Sequence, residues 1–569
     1  MLTNYFDLRF HVADAPRRGG AREVEEDTVS NTRRVTAAIA AGALLALTAC
    51  AATPANAPGE VELVLETPAA TEGLQRLVWN LPFGEPYSLD PAFSSSDSNS
   101  AVVANVCESI LRIEPDMSFT PNLGQVEEID ELHYRITMRD DIVFSDGSPV
   151  TVDDVLFSLR RYLDPALASS WSAAYTSATS IDQTGDREIT ITLSEPDGLI
   201  ERFLALPSAA ILKASAATVA GAALGSPDGL PVCTGPYAVE SWDKGERITL
   251  QENPNYWDAA RKPLTPTVEF RFITDAATAT TALQTGDLNG AFGFPVASIP
   301  QLTASKGTVA YGPSLDLTTM MFVHVADGPL ADPRLREALA LAVDYDGIRN
   351  GIYGQAAAEL RTLTPKSAWG YSEDIFQQAW DALPPAKTDL DKAKKLVAEA
   401  GAPTDAAVLS YPAAIAEATQ LATAVKDAGS RVGIEIELNA QNDSEYLSLY
   451  FDDAARVGTD LMLWQGYLDF AEPSAYYQVY TSDSVFNASG FSDSEFDRLV
   501  ALSRTQTDDD ERATTIAEAQ RLYSEGRNII PLASQYIRLY QSEGVTGAAP
   551  TQSFLYRPWA ATVGKATAE

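Results

Sequence analysis

Between Tyr134 and Arg161 the apolar pattern changes period within one short stretch. Tyr134, Ile136 and Met138 alternate with polar residues, the pattern of a half-buried strand. After a few turn residues, Asp153 and Asp154 open a segment with Val155, Leu156, Leu159 and Leu163 at helical spacing. Acidic residues at its start suit the positive end of a helix dipole. Such a switch repeats along the chain. Leu77-Val78-Trp79 is a brief apolar run, and Ile189, Ile191 and Leu193 alternate again. Arg334 to Val343 reads as an amphipathic helix with Leu335, Leu339 and Ala342 on one face and Arg336 on the other. Asp391 to Ala400 reads as a helix closed by Gly401, and Glu495 to Leu502 as another. Interleaved strands and helices predict a mixed α/β protein. With 569 residues the chain is too long for one core, so two or three lobes are expected.

Acidic residues outnumber basic ones 78 to 41, a formal charge of −37. That disfavours nucleic acid and anionic lipid as partners, since both are polyanions. Three histidines, with no HExxH, argue against imidazole metal chemistry. The three cysteines, Cys50, Cys107 and Cys233, lack the spacing of a zinc site or a CxxC redox pair. No metal site and no cofactor are expected.

The N-terminus reads as an address. Arg33-Arg34 precede an apolar stretch from Val35 to Ala49 that ends at Cys50. Fifteen helical residues span about 22 Å, short of the ~30 Å hydrocarbon core. A basic flank, a short apolar core and small residues make a signal peptide over residues 1–50. Leu47-Thr48-Ala49-Cys50 resembles the bacterial lipobox, which implies that Cys50 is lipidated and becomes the new N-terminus. An ordinary secretory signal with an incidental cysteine is the competing reading. Glu23, Glu25, Glu26 and Asp27 do not suit a signal's charged start, so Val29 is a candidate true start. Residues 51–73, rich in Ala, Pro, Thr and Glu, read as a flexible tether.

A series of short motifs then follows in order. Ser88-Leu89-Asp90-Pro91 and Asn105 to Ile110 come first. The stretch Tyr134 to Arg161 holds Phe144-Ser145-Asp146-Gly147 and Pro149 to Val155. Thr234-Gly235-Pro236-Tyr237, Asn253 to Trp257, Leu283 to Asp287, Leu330 to Ala338, Asp391 to Lys394, Asp469 to Pro473 and Asn487 to Asp497 complete the series. Together they resemble the family 5 extracytoplasmic solute-binding proteins of bacterial ABC importers, the oligopeptide-, dipeptide- and nickel-binding type. The resemblance covers roughly residues 77–535. Two departures are small: no Tyr-Asp-Pro precedes Asp391, and Cys233 replaces a usual glycine. By themselves the turn motifs read as structural, since Asp and Gly supply turn geometry after an apolar strand.

The resemblance implies a bilobal periplasmic-binding-protein-like α/β fold (type II, large class), with an extra inserted region in the first lobe. The first lobe would comprise residues 74–115, 225–312 and 526–569, the inserted region 116–224, and the other main lobe 313–525. Crossings would fall near Gly312-Pro313-Ser314 and near Ser524 to Asn528. The ligand would lie between the lobes and be buried by hinge closure.

The segment Asp460 to Pro473 is an apolar strand running into a loop with Trp464, Tyr467, Asp469 and Phe470. In peptide-binding members an aspartate matching Asp469 pairs with the peptide α-ammonium. A carboxylate in a closed cleft forms charge-assisted hydrogen bonds with an amine, and aromatic walls supply apolar area. Other readings stay open. Asp469 and Glu472 have capping-box spacing, and Trp464, Tyr467 and Phe470 could be core. Cys107 and Cys233 both map to the first lobe, and pair in an oxidising space or remain two buried thiols.

The implied function is an extracytoplasmic, monomeric lipoprotein that delivers a peptide to a permease and ATPase. A sugar, an opine-like compound or a metal chelate is the alternative ligand, and a sensor without transport the alternative role. An enzyme is disfavoured: the chain has no GxSxG elbow and no Walker loop.

Overall fold

A computed structural model describes residues 61–567. Cys50, Val29 and the whole expected signal segment lie outside the described residues. Two large sheets organise the body. The first has seven strands in the order Thr308–Gly312, Ile537–Gln541, Gly290–Phe292, Leu77–Asn80, Thr267–Arg271, Arg247–Glu252, Tyr237–Asp243. The second has six, in the order Ala357–Ala358, Ile529–Gln535, Asp316–Phe322, Leu461–Tyr467, Ala407–Pro412, Ile436–Gln441. A four-stranded antiparallel sheet, Gly124–Asp130, His133–Met138, Glu188–Leu193 and Ala178–Gln183, is inserted between strands of the first. The fold is α/β and bilobal. Among the described residues, no helix is long and apolar enough to cross a membrane.

Alternation drives the packing. In His133–Met138 the side chains of Tyr134, Ile136 and Met138 are buried, as the period-two pattern predicts. They join Trp79, Ile189, Ile191 and Leu199 in one core that underlies both the seven- and four-stranded sheets. The six-stranded sheet is covered on both faces. Leu461 and Leu463 face one core, Met462 and Trp464 the other. The predicted helices form as Val152–Arg160, Pro333–Ala342, Leu390–Ala400 and Ser494–Thr505. The first starts one residue outside the expected acidic pair: Thr151 is its N-cap, in a reciprocal capping box with Asp154. Gly401 ends the third with φ near 85°, a conformation that glycine adopts without strain.

The family-type motifs serve as internal braces. Asp90 caps a turn by accepting from the Ala92 amide (3.0 Å) and pairs with the Arg161 guanidinium, linking two of them. Gly235 packs so close to the Val106 carbonyl that a Cβ there would meet its oxygen at 2.4 Å. Tyr237 donates to the Thr265 carbonyl at 2.8 Å. The Sγ atoms of Cys107 and Cys233 stand at bonding distance, with Cα atoms 4.9 Å apart and a separation of 126 in sequence.

Three expectations need correction. Arg336 does not face water: it is buried, and its guanidinium donates to the carbonyls of Leu330 (3.0 Å), Ala331 (2.8 Å) and Arg527 (2.9 Å). A long cation is retained inside because these carbonyls satisfy it. The stretch expected to be free tether as far as residue 73 is docked from Leu63 onward. The Val64 amide donates to the Tyr311 carbonyl (2.8 Å) and the Thr67 amide to that of Ala548 (3.2 Å). This covers the open edge of the strand Thr308–Gly312. Finally, the return crossing lies at Tyr536, not near Ser524 to Asn528, because Ile529–Gln535 still pairs with Asp316–Phe322. The outward crossing spans Pro313 to Leu315.

Candidate functional site

The crossings bring the ends of both large sheets together around a cavity of about 570 Å³. This is within the range of cavities that enclose a small organic ligand, roughly 300–1,000 Å³. Each wall comes from a different element. Trp79 and Asn80 end the strand Leu77–Asn80, and Asp97 opens the helix Asp97–Val106. Asp316 starts the first strand after the outward crossing, opposite Tyr467 in antiparallel register. Gln535, Tyr536 and Ile537 carry the return crossing along the same cavity. A site at the joint between lobes changes shape when the lobes move.

Its chemistry is acidic. Asp97, Asp316 and Glu417 line it, with Arg538 as the cation on the wall. Arg538 is buried and already engaged: its Nε donates to the Phe294 carbonyl (2.8 Å) and its Nη1 to Gln535 Oε1 (3.0 Å). Burial pushes Asp97 up to about 6, against the lowering effect of a Tyr467 hydroxyl bond, and the Asp469 charge adds to the rise. Burial likewise raises Asp316 to about 7, and the charge of Asp97 raises it further, while Arg538 and Ser314 pull it down. Like charges in a low-dielectric recess disfavour joint ionisation.

The four residues predicted at the ligand are not brought together. Tyr467 lines the cavity, and its hydroxyl reaches the Ser95 carbonyl at 3.4 Å. Asp469 is half-buried beside the cavity and accepts a hydrogen bond from the Tyr556 hydroxyl. Burial holds it up at about 6, partly offset by that bond. It is not a helix cap, because Glu472 caps Pro473–Gln478 by accepting from the Ser474 amide at 3.1 Å. Trp464 is core rather than cavity wall. It packs against Tyr450 with ring centroids 4.3 Å apart. Side chains alternate along a strand, so a residue three positions from Tyr467 faces the other way. Phe470 is also core, edge-on to Phe203 at 5.3 Å.

Sequence reasoning missed Asp97, Asp316, Glu417 and Arg538. Arg538 had a signal, a charge inside the otherwise apolar run from Ile537 to Tyr540. Asp97 had none, in a polar Ser- and Asn-rich stretch.

Comparison with known proteins agrees with this architecture. Residues 118–488, more than half of the chain, match the model for bacterial extracellular solute-binding proteins, family 5 (middle). The periplasmic oligopeptide-binding protein OppA of Salmonella typhimurium is 28% identical over 524 residues, covering 87% of this chain and 92% of the relative. Among solved structures, the ABC transporter substrate-binding protein CtaP of Listeria monocytogenes superposes with a TM-score of 0.76 at 20% identity, covering 87% of this chain and all of that one. DppA of Helicobacter pylori, solved with the peptide STSA, gives a TM-score of 0.72 at 21% identity, covering 87% and 99%. The chain belongs to the family 5 solute-binding proteins of bacterial ABC importers.

Proposed function

We propose that this protein is an extracytoplasmic lipoprotein, anchored through Cys50, that captures peptides between its lobes and delivers them to a permease and ATPase. The observation that carries the ligand reading is the acidic cavity at the joint of the two sheets, with Asp469 close enough to act on Asp97. Named relatives that bind peptides support it. The Asp469 carboxylate, held by the Tyr556 hydroxyl, takes the peptide α-ammonium as a charge-assisted hydrogen-bond partner. Tyr467 and Phe83 supply aromatic wall. Trp464 and Phe470 support the loop from behind. Cys107 and Cys233 form a disulfide, and the protein acts by binding rather than catalysis. The lobe segments are those set out above, with the second main lobe extended to Gln535.

The test is a thermal-shift panel on the full chain, stripped of carried-over ligand by unfolding and refolding. Ligand at 100-fold its dissociation constant adds about 2.7 kcal/mol of stability. Short peptides are expected to raise Tm, and N-acetylated ones to lose the effect. Asp469→Asn is expected to weaken peptide binding by about 2–5 kcal/mol, the cost of leaving a buried ammonium unpaired. Shifts with sugars or metal chelates alone would discard the peptide reading and leave the family unaffected.

A further inference from the structure

Two apolar loops from different sheets open onto the cavity. Leu81-Pro82-Phe83 follows the strand Leu77–Asn80 of the seven-stranded sheet. Ala413-Ala414-Ile415-Ala416 follows the strand Ala407–Pro412 of the six-stranded sheet. Both strands pair in parallel, Leu77–Asn80 with Thr267–Arg271 and Ala407–Pro412 with Ile436–Gln441. Loops at the carboxyl ends of such strands are where open α/β sheets hold ligands.

Each loop leaves a large apolar side chain in the open. Phe83 is 64% exposed and Ile415 40%. Of the large exposed apolar side chains among the described residues, these two line the cavity. Ala413 to Ala416 are four consecutive exposed residues without a polar side chain. Such a run on a surface loop is a defect unless it serves a function. The Phe83 ring lies against Gly293, where φ is 62° and a Cβ would stand 3.1 Å from Phe83 Cε2. The other loop is tied to the same segment, because Glu417 Oε1 accepts from the Val296 amide at 3.2 Å. The two apolar loops therefore flank one opening. What covers both at once enters the cavity between the two sheets.

We propose that Phe83 and Ile415 determine specificity by clamping a bulky apolar side group of the ligand, aliphatic or aromatic, at the opening of the cavity. For a peptide this means a side chain of the leucine, isoleucine or phenylalanine kind. The peptide form of this inference rests on the function proposed above; the apolar opening does not. The driving force is the removal of both protein side chains, and of the ligand's own, from water. Covering one large apolar side chain is worth roughly ten- to a hundredfold in an equilibrium constant.

The experiment uses the full, ligand-stripped chain and calorimetric titration. The probes are Leu-Ala-Ala, Ala-Leu-Ala and Ala-Ala-Leu, and their asparagine counterparts, which keep nearly the same side-chain shape but are polar. At one position or more, the leucine peptide is expected to bind at least tenfold tighter than its asparagine counterpart. In Phe83→Ser/Ile415→Ser that advantage is expected to shrink below threefold, with the ligand-free Tm unchanged because both side chains are exposed. The single variants Phe83→Ser and Ile415→Ser, each expected to lose part of the advantage, serve if the double variant does not fold. Equal affinity for leucine and asparagine peptides at every position, or an advantage undiminished in the serine variants, would overturn the inference. So would a ligand-free dimer, seen by sedimentation and lost in the serine variants, since a second copy would then be the cover. Nile red, an apolar dye with no peptide group, separates the two proposals. If no peptide binds but the dye binds the wild type and not the serine variants, the peptide reading falls and the apolar opening stands. If no peptide binds and the dye does not tell them apart, the inference falls as well.

Discussion

Tyr467 is the residue around which the acids meet, since Asp97, Asp469 and Asp316 all raise its phenol further after burial has done so. Their own titration gives a pH prediction. Asp97 and Asp469 stand at about 6 and Asp316 at about 7, against 3.8 for an unburied aspartate. Between about pH 4 and 7 the folded, ligand-free protein therefore binds protons that the unfolded chain does not. These groups add stability below pH 4 that is lost as pH rises through 6 to 7. A cationic ligand reverses the sign, because it must displace those protons. The neighbouring charges are Arg538 and Glu417, and the neighbouring phenols are Tyr467, Tyr556 and Tyr353. Affinity for a peptide with a free α-ammonium is expected to rise between about pH 5 and 7 with proton release, measured by calorimetry in buffers of different ionisation enthalpy. A flat profile would place the ligand away from these carboxylates. At this scale the sequence was only partly readable. Asp469 and Tyr467 sit in a recognisable motif. Asp97 and Asp316 gain meaning only when two distant segments meet, and Arg336 looked solvent-facing because the carbonyls that satisfy it, on the loop before its helix and at Arg527, leave no mark in the apolar period.

Among the elements, the joint between lobes is held by more than the two crossings. Asp197 is fully buried in the part of the chain that packs with the first core. It accepts from the Ser177 hydroxyl (2.6 Å), the Leu199 amide (3.0 Å) and Arg504 Nη2 (2.6 Å). Arg504 ends the helix Ser494–Thr505, whose apolar face packs with the six-stranded sheet's core. The Gly198 amide donates to the Arg504 carbonyl at 2.9 Å. Nearby, Glu472 lies buried with Arg512 (3.3 Å) and Arg202 (3.4 Å) against its Oε2, and Tyr371 donates to its other oxygen at 2.6 Å. Contacts that bridge lobes favour the closed arrangement, and apparent affinity scales with the closed population. Arg504→Met is therefore expected to weaken peptide binding about three- to thirtyfold, mainly through faster release seen by stopped flow, although Arg504 does not line the cavity. An unchanged release rate would mean that this bridge does not control closure. The helix itself was evident from its apolar period; its partner across the joint was not, since a four-residue helix, Ile200–Phe203, and its preceding loop leave almost no periodic signal.

For the whole molecule, the ordered motifs were enough to anticipate a bilobal α/β fold, because each marks a turn or brace that the topology requires. The docking of residues 63–73 was not evident, since backbone pairing to an open sheet edge needs no apolar pattern. The cysteine pair acts at this scale too. Cys107→Ser/Cys233→Ser is expected to lose about 2–5 kcal/mol of stability, read as a lowered Tm that matches the wild type under reducing conditions. Equal Tm values without reductant would mean that the link contributes nothing to stability.

The four-stranded sheet leaves the main body after Cys107 and the chain comes back at Cys233. With those two residues joined, the whole excursion is a closed covalent ring. A protease that cuts any one exposed turn within it opens the ring without releasing a fragment. Both halves stay attached to the same lobe and migrate as one species until a reductant separates them. For a protein that works outside the cytoplasm, where peptidases share its surroundings, the inserted sheet can be nicked while the ligand cavity, built from other segments, keeps its walls.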